Sequence, residues 1–188
     1  MQRSEERDLR ERLLYDVAVK GLDANFWDQD TGTSTISSNK LRNSSASLSS
    51  YAQFAFGDFE FAVNVPTSPA AGIGPNIWGL RNIGDTDNRS GAFFMIDTEF
   101  WAVSYNDAGT RQRTAITFDS DAWDGAEERY RIVWEAGDVT YLVNDTVVAR
   151  HFTSVGTSGI PQALRIDNDS ASNLDVGFVT VRNARIVV

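Results

Sequence analysis

The stretch RYRIVWEAGDVTYLVNDTVVARHF, residues 129–152, restricts the fold more than any other part of the chain. Tyr130, Ile132 and Trp134 alternate toward a turn at Ala136-Gly137-Asp138, and Val139, Tyr141 and Val143 alternate out of it. Asn144-Asp145 then turns the chain again before Val147 and Ala149. Alternation with a period of two, broken by residues that tolerate tight turns, describes three antiparallel strands in a meander. A second clean alternation, DFEFAVNVP, puts Phe59, Phe61, Val63 and Val65 on one face, Asp58, Glu60 and Asn64 on the other, and ends at Pro66. IWGLRNI, GAFFMI, TAITF, PQALRI and LDVGFVTV add short apolar strands separated by polar turns.

Residues 4–19 read differently. Ser4 suits an N-cap, Glu5, Glu6 and Asp8 suit the positive end of a helix dipole, and Leu9, Leu13 and Val17 recur every four residues before Gly21. A helix this short is marginal alone in water, so its stripe of Leu9, Leu13 and Val17 is expected to dock, either on its own domain or, as an assembly arm, on a sister subunit or a larger assembly. The expected architecture is all-β, an antiparallel β-sandwich with one short N-terminal α-helix: a helical arm over residues 1–21 and a sandwich domain over 22–188. The serine cluster NSSASLSS at 43–50 is not read as a linker, because Tyr51, Phe54 and Phe56 follow at once.

Composition narrows the chemistry. A chain of 188 residues can bury one core, and a net charge of −9, from 26 acidic and 17 basic residues, opposes binding to nucleic acid. No apolar run is long enough to span a membrane, and the charged N-terminus is unlike a signal peptide, so no membrane insertion is expected. The chain has no cysteine and one histidine, His151, in VVARHF, with no nucleophile-elbow motif; His151 is read as a strand-end side chain.

The order of these pieces resembles the concanavalin A-like lectin/glucanase superfamily, which includes laminin G-like modules. The matching residues are FWD at 26–28, KLR at 40–42, FGDFEFAVNV at 56–65, YRIVWEAGDVTYLVNDTVVARH at 130–151, and LRIDN with LDVGFVTVRNARI near the end. Within it, GLRNIGDTDNRSGAFFMIDTEFWAVSYNDAG is similar to jelly-roll domains of bacteriophage tail and capsid-associated proteins. The resemblance implies a jelly roll. In the glucanase branch it further implies a catalytic strand of the form E-x-D-x-E, whose positions fall here on Met95, Asp97 and Glu99. Methionine cannot replace the nucleophilic carboxylate. Phe93 to Ile96 are apolar on both faces and Phe100, Trp101 and Val103 resume after Glu99, so the polar trio reads as a hairpin turn.

No catalytic residue is therefore assigned, and the expected function is non-enzymatic. A viral structural protein on the virion surface is expected, either a capsid decoration or a tail-associated subunit. Its helix would join other virion proteins or sister subunits in a homo-oligomer, and its sandwich would face cell-surface glycans. The alternatives are a free lectin-like carbohydrate-binding module and a glycoside hydrolase of the jelly-roll glucanase type. Candidate glycan contacts are Trp78, Arg81, Trp101, Asn106, Asp107 and Trp123. Trp134, also a tryptophan, reads as core. No cofactor is expected beyond calcium, for which the loops carrying Asp85, Asp87, Asp167 and Asp169 offer carboxylates without an EF-hand pattern.

Overall fold

Strands that alternate in the sequence are paired in space. The computed structural model describes residues 11–16, 27–38, 40–64, 76–81, 91–117, 126–157, 160–168, 174–182 and 184–187. These form β1 (Glu11–Asp16), β2 (Trp27–Ser37), β3 (Lys40–Ala55), β4 (Gly57–Asn64), β5 (Asn76–Arg81), β6 (Gly91–Ile96) and β7 (Phe100–Tyr105). They continue through β8 (Arg111–Ala115), β9 (Glu127–Glu135), β10 (Asp138–Val143), β11 (Thr146–His151), β12 (Gln162–Asn168), β13 (Leu174–Arg182) and β14 (Arg185–Val187). Hydrogen bonding runs in the order β11-β10-β9-β4-β13-β3-β12-β5-β6-β7-β8. The chain is an all-β antiparallel sandwich whose two sheets share β3.

β3 changes sheet at the serine cluster. Residues Leu41 to Asn43 pair with β13, whereas Ala46 to Phe54 pair with β12. Between them Ser45 has a φ of 47°, and β2 shifts register between Thr31 and Thr33 around Gly32, whose φ is 71°. A Cβ at Gly32 would strike the Ser45 carbonyl and Ala46. A strand that crosses from one layer to the next needs such a corner, and serines and a glycine allow it. Farther along, Ser50 donates to the Ala52 carbonyl and accepts from the Leu164 amide, which satisfies the β3 bulge opposite β12.

The meander forms as its sequence predicts. The β9–β10 turn has Gly137 at φ 79°, and Asn144 and Asp145 both have positive φ, the conformation that a two-residue hairpin turn requires. The expected helix over 4–19 is not found where the segment is described. Glu11 to Asp16 form β1 and pair with Arg182 to Phe178 of β13. The physical reason is the edge of β13: β3 covers only Leu174 to Val176, and the remaining backbone groups need partners. Leu13 belongs to the four-residue stripe and also, with Tyr15, fits a period of two. Leu9 and Val17 lie outside the described residues, and among those described no helix is present.

Between the sheets lies an aromatic core. Trp78 is fully buried and stacks on Phe94 and Phe100, with ring centroids 6.0 and 5.8 Å away, while Tyr130 meets it edge-on at 4.9 Å. Such pairs contribute about 0.5–1.5 kcal/mol each beyond area burial. Polar bonds lock one side of the sandwich. The Tyr141 hydroxyl donates to the Val103 carbonyl at 2.5 Å, and buried His151 lies between the Ser104 and Thr114 hydroxyls, 2.8 Å from Nδ1 and 3.0 Å from Nε2. His151 is thus an inter-sheet tie, and burial lowers its pKa to about 4.

Candidate functional site

The sheet β12-β5-β6-β7-β8 has a second face, turned away from the aromatic core, and its rows follow from the register. Arg81, Gly91, Tyr105 and Arg111 form one row across β5 to β8. Arg165, Gly79, Phe93, Val103 and Arg113 form the next, and Asp167, Ile77, Met95, Trp101 and Ala115 the third. Ile77, Phe93 and Val103 make a small buried cluster of their own, covered by Met95, Trp101 and Tyr105. Phe93 and Tyr105 stack with centroids 6.0 Å apart, and the Arg113 guanidinium lies 4.1 Å from the centre of the Trp101 ring. Gly79 has a reason to be glycine, because its φ is 152° and a Cβ there would fall 2.5 Å from Phe93.

Asp97 lies at the end of β6, on the side of Trp101. Asp97, Thr98 and Glu99 form the turn between Ile96 and its partner Phe100, as the hydrophobic pattern predicts. The carboxylate is nevertheless held. Asp97 Oδ1 accepts from the Glu99 amide and from the Trp101 indole N–H, each at 3.0 Å, and from the Thr98 hydroxyl at 3.4 Å. Partial burial pushes its pKa up, but the donors from Glu99, Trp101 and Thr98 outweigh it and hold the group below the ordinary carboxylate value. Glu99 is exposed two residues on. The turn therefore offers one fixed ionised carboxylate and one solvent-facing carboxyl beside an aromatic surface.

Across the face, Arg165 Nε donates to Asp167 at 2.7 and 2.8 Å, its Nη2 donates to Ser47 at 2.8 Å, and Arg81 Nη1 is 3.7 Å from the same aspartate. Burial draws the Arg81 pKa below its ordinary value, Asp167 and Tyr105 oppose this, and the Arg165 charge adds to it.

The sequence-predicted site residues separate. Arg81 and Trp101 share this face. Trp78 does not, and its candidacy as a glycan platform is corrected: no part of it is exposed, because Trp78 and Leu80 share the core side of β5. Asn106 shapes the β7–β8 turn, its Oδ1 accepting from the amides of Ala108 and Thr110. Asp107 ties that turn to Thr157 by accepting from its amide and hydroxyl. Trp123, Asp85, Asp87 and Asp169 lie outside the described residues. Asp167 is engaged by arginines, which compete with a cation for its oxygens, and among the described residues no cluster of three acidic or histidine side chains could hold a metal. Sequence reasoning missed Phe93, Tyr105, Arg111, Arg113 and Arg165 as members of one surface. The alternation of RQR at 111–113 was the local signal.

No family model matches the chain, and no curated protein matches it in sequence. Solved structures do match in shape. The Bacillus licheniformis β-glucanase has a TM-score of 0.66 at 13% identity, covering 88% of this chain and 96% of that one. The catalytic domain of an endo-1,3-β-glucanase (laminarinase) from Thermotoga petrophila has a TM-score of 0.70 at 11% identity, covering 95% and 99%. The Crh5 transglycosylase in complex with NAG has a TM-score of 0.67 at 14% identity, covering 87% and 81%. At these identities the likeness establishes the fold alone, the antiparallel jelly-roll sandwich that these structures share. It also corrects the expected function. The neighbours are glucanases and transglycosylases and give no support to a phage capsid or tail subunit, so the viral structural reading and the non-enzymatic assignment that went with it are both overturned.

Proposed function

We propose that the chain is a glycoside hydrolase-type enzyme acting on a β-linked polysaccharide, which lies across the outer face of β12-β5-β6-β7-β8. A fold alone does not carry a function. The observation that carries this one is Asp97, a carboxylate kept ionised at the end of β6 by three neighbouring donors and set against Trp101. The likeness in shape to glucanases supports the same reading.

Glycosidic cleavage passes through an oxocarbenium-like state, which an ionised carboxylate stabilises or traps while a second carboxyl protonates the leaving oxygen. In this chain Asp97 takes the first role. Its hydrogen bonds favour the charged form and fix its direction, as a group facing positive charge at the anomeric carbon requires. Glu99, exposed in the same turn, takes the proton-donor role. Trp101 and Tyr105, packed against Arg113 and Phe93, supply the apolar surface beside the turn for sugar C–H groups. The site departs from the resemblance at Met95, which occupies the outer-facing position on β6 where that strand would carry its first carboxylate.

The test is release of new reducing ends from a panel of β-linked polysaccharides, with oligosaccharide products sized by mass spectrometry. Cleavage by the wild type that is lost in Glu99→Gln is expected. Failure to cleave any member of the panel, or cleavage undiminished in Glu99→Gln, overturns the assignment.

A further inference from the structure

Trp101 is held from several directions. It stands opposite Met95 in the β6–β7 hairpin, and the turn of Asp97 to Glu99 closes just beyond, between Ile96 and Phe100. Its ring packs on the buried cluster of Ile77, Phe93 and Val103. Arg113, diagonally across on β8, lays its guanidinium 4.1 Å from the ring centre. The indole N–H then donates to Asp97 Oδ1 at 3.0 Å.

Burial does not force that bond. Trp78 and Trp134 are almost wholly buried, and their indole N–H groups have no acceptor among the described residues. Trp101 is partly exposed, so water could serve its N–H, yet the donor reaches a carboxylate. The Glu99 amide, the Thr98 hydroxyl and the Trp101 indole all donate to Oδ1 of Asp97. Glu99 and Thr98 belong to the turn and move with it, whereas Trp101 lies on β7 and ties the carboxylate to the sheet. Oδ2 takes none of these three bonds, which leaves it to face a bound sugar.

We infer that Trp101 is a positioning residue: its N–H anchors Asp97 by Oδ1 so that Oδ2 is the oxygen presented to the anomeric carbon, and Arg113 keeps the indole in that pose. This rests on the proposed glycosidase site and deepens it by assigning the working oxygen and the residues that aim it. A carboxylate in such chemistry must be held to within about 0.5 Å, and a turn alone supplies less restraint than a packed ring on a strand. Of the charged groups on the described strands, Glu99 shares the turn, Arg113 stands over the indole, and Asp167 lies in the Met95 row two strands away on β12. Arg165, Arg81 and Arg111 stand in rows farther from the turn. Burial raises the Asp97 pKa, and its donors, Trp101 among them, lower it by more. Removing one donor therefore raises it.

The experiment combines indole 15N–1H spectra with kinetics on a polysaccharide that the wild type cleaves. The resonance missing from Trp101→Phe identifies the Trp101 indole. In the wild type it should titrate with Asp97, and in Asp97→Asn it should not. Trp101→Phe keeps an apolar ring and loses the donor, so kcat should fall by about tenfold or more while KM changes by under about threefold. The acid limb of kcat/KM should move to higher pH, which a merely structural role would not cause. Arg113→Gln should lower kcat by about two- to fivefold, and Arg113→Lys, which keeps a cation over the ring, should restore most of it. Arg113 is exposed, so its variants and the indole titration carry the test where Trp101→Phe does not fold. An indole resonance indifferent to Asp97, an acid limb that stays in place, or a loss confined to KM overturns the inference. If a polysaccharide is cleaved and any of these is seen, only this inference fails and the glycosidase reading stands. If nothing is cleaved, the glycosidase reading and the working-oxygen assignment fail together.

Discussion

Acidification should expose His151 as a weak point in the sandwich. In the folded chain its ring is buried between Ser104 and Thr114, and burial lowers its pKa from the ordinary 6.5 to about 4. The unfolded chain therefore takes up this proton first as pH falls. The neutral ring's contribution to stability is complete above about pH 6.5, declines between about 6.5 and 4, and changes no further below that. At about 1.4 kcal/mol per pH unit the difference amounts to about 3 kcal/mol at most. Part of it is recovered, because both hydroxyls can rotate and turn lone pairs toward an imidazolium, so a loss of about 1–3 kcal/mol is expected. Urea unfolding followed by tryptophan fluorescence at pH 7.5, 5.5 and 4.0 measures it. Carboxylates also titrate over this range, so His151→Gln, which can keep both hydroxyl contacts, is the reference. The wild type should lose about 1–3 kcal/mol more than His151→Gln between pH 7.5 and 4. Parallel pH profiles for the two proteins would refute the assignment of His151 as a buried neutral tie between the sheets.

Other perturbations test separate parts of the structure. Tyr141→Phe removes the donor to the buried Val103 carbonyl and should cost about 1–2 kcal/mol in chemical denaturation, with little change in the circular dichroism spectrum. Gly32→Ala forces a Cβ onto the β3 corner at positive φ and should lower stability by about 2 kcal/mol or more, whereas Ala→Gly at the exposed position 115 should change it by under about 1 kcal/mol. Asp58→Asn breaks a two-point pairing with Arg131, whose distances are 2.7 and 2.6 Å; since Arg131 is about a third exposed, a loss of about 1–2 kcal/mol is expected in the same assay.

The parts of the fold that were legible in the sequence are those decided locally. Asn144-Asp145 announces a tight turn because both residues tolerate positive φ, and the alternation on either side sets which residues face the core. Asp97 to Glu99 could be read as a turn for a similar reason, since apolar runs end and resume on either side. What was not legible depends on distant partners. ERLLYD, with Leu13, Leu14 and Tyr15 in a row, suits a helix stripe or a short strand with a register shift, and the open edge of β13, more than 150 residues away, decides for the strand. The serines at 43–50 were rightly not read as a linker, but nothing local in them shows that β3 pairs with β13 before Ser45 and with β12 after it. Trp78 was misplaced because an aromatic was weighed alone; its alternation with Leu80 already put it on an apolar side. The outer face could not be assembled from sequence, because Arg81 and Arg165 become neighbours only through the β5–β12 register.

The account depends most on Asp97, the ionised carboxylate beside Trp101. The direct measurement is kcat/KM for reducing-end release by the wild type and by Asp97→Asn, a change that keeps the shape of the side chain and removes its charge. On a cleaved β-linked polysaccharide, a loss of about 100-fold or more with unfolding free energy changed by under about 1 kcal/mol is the predicted result. An Asp97→Asn protein that turns over within a few-fold of the wild type would contradict it.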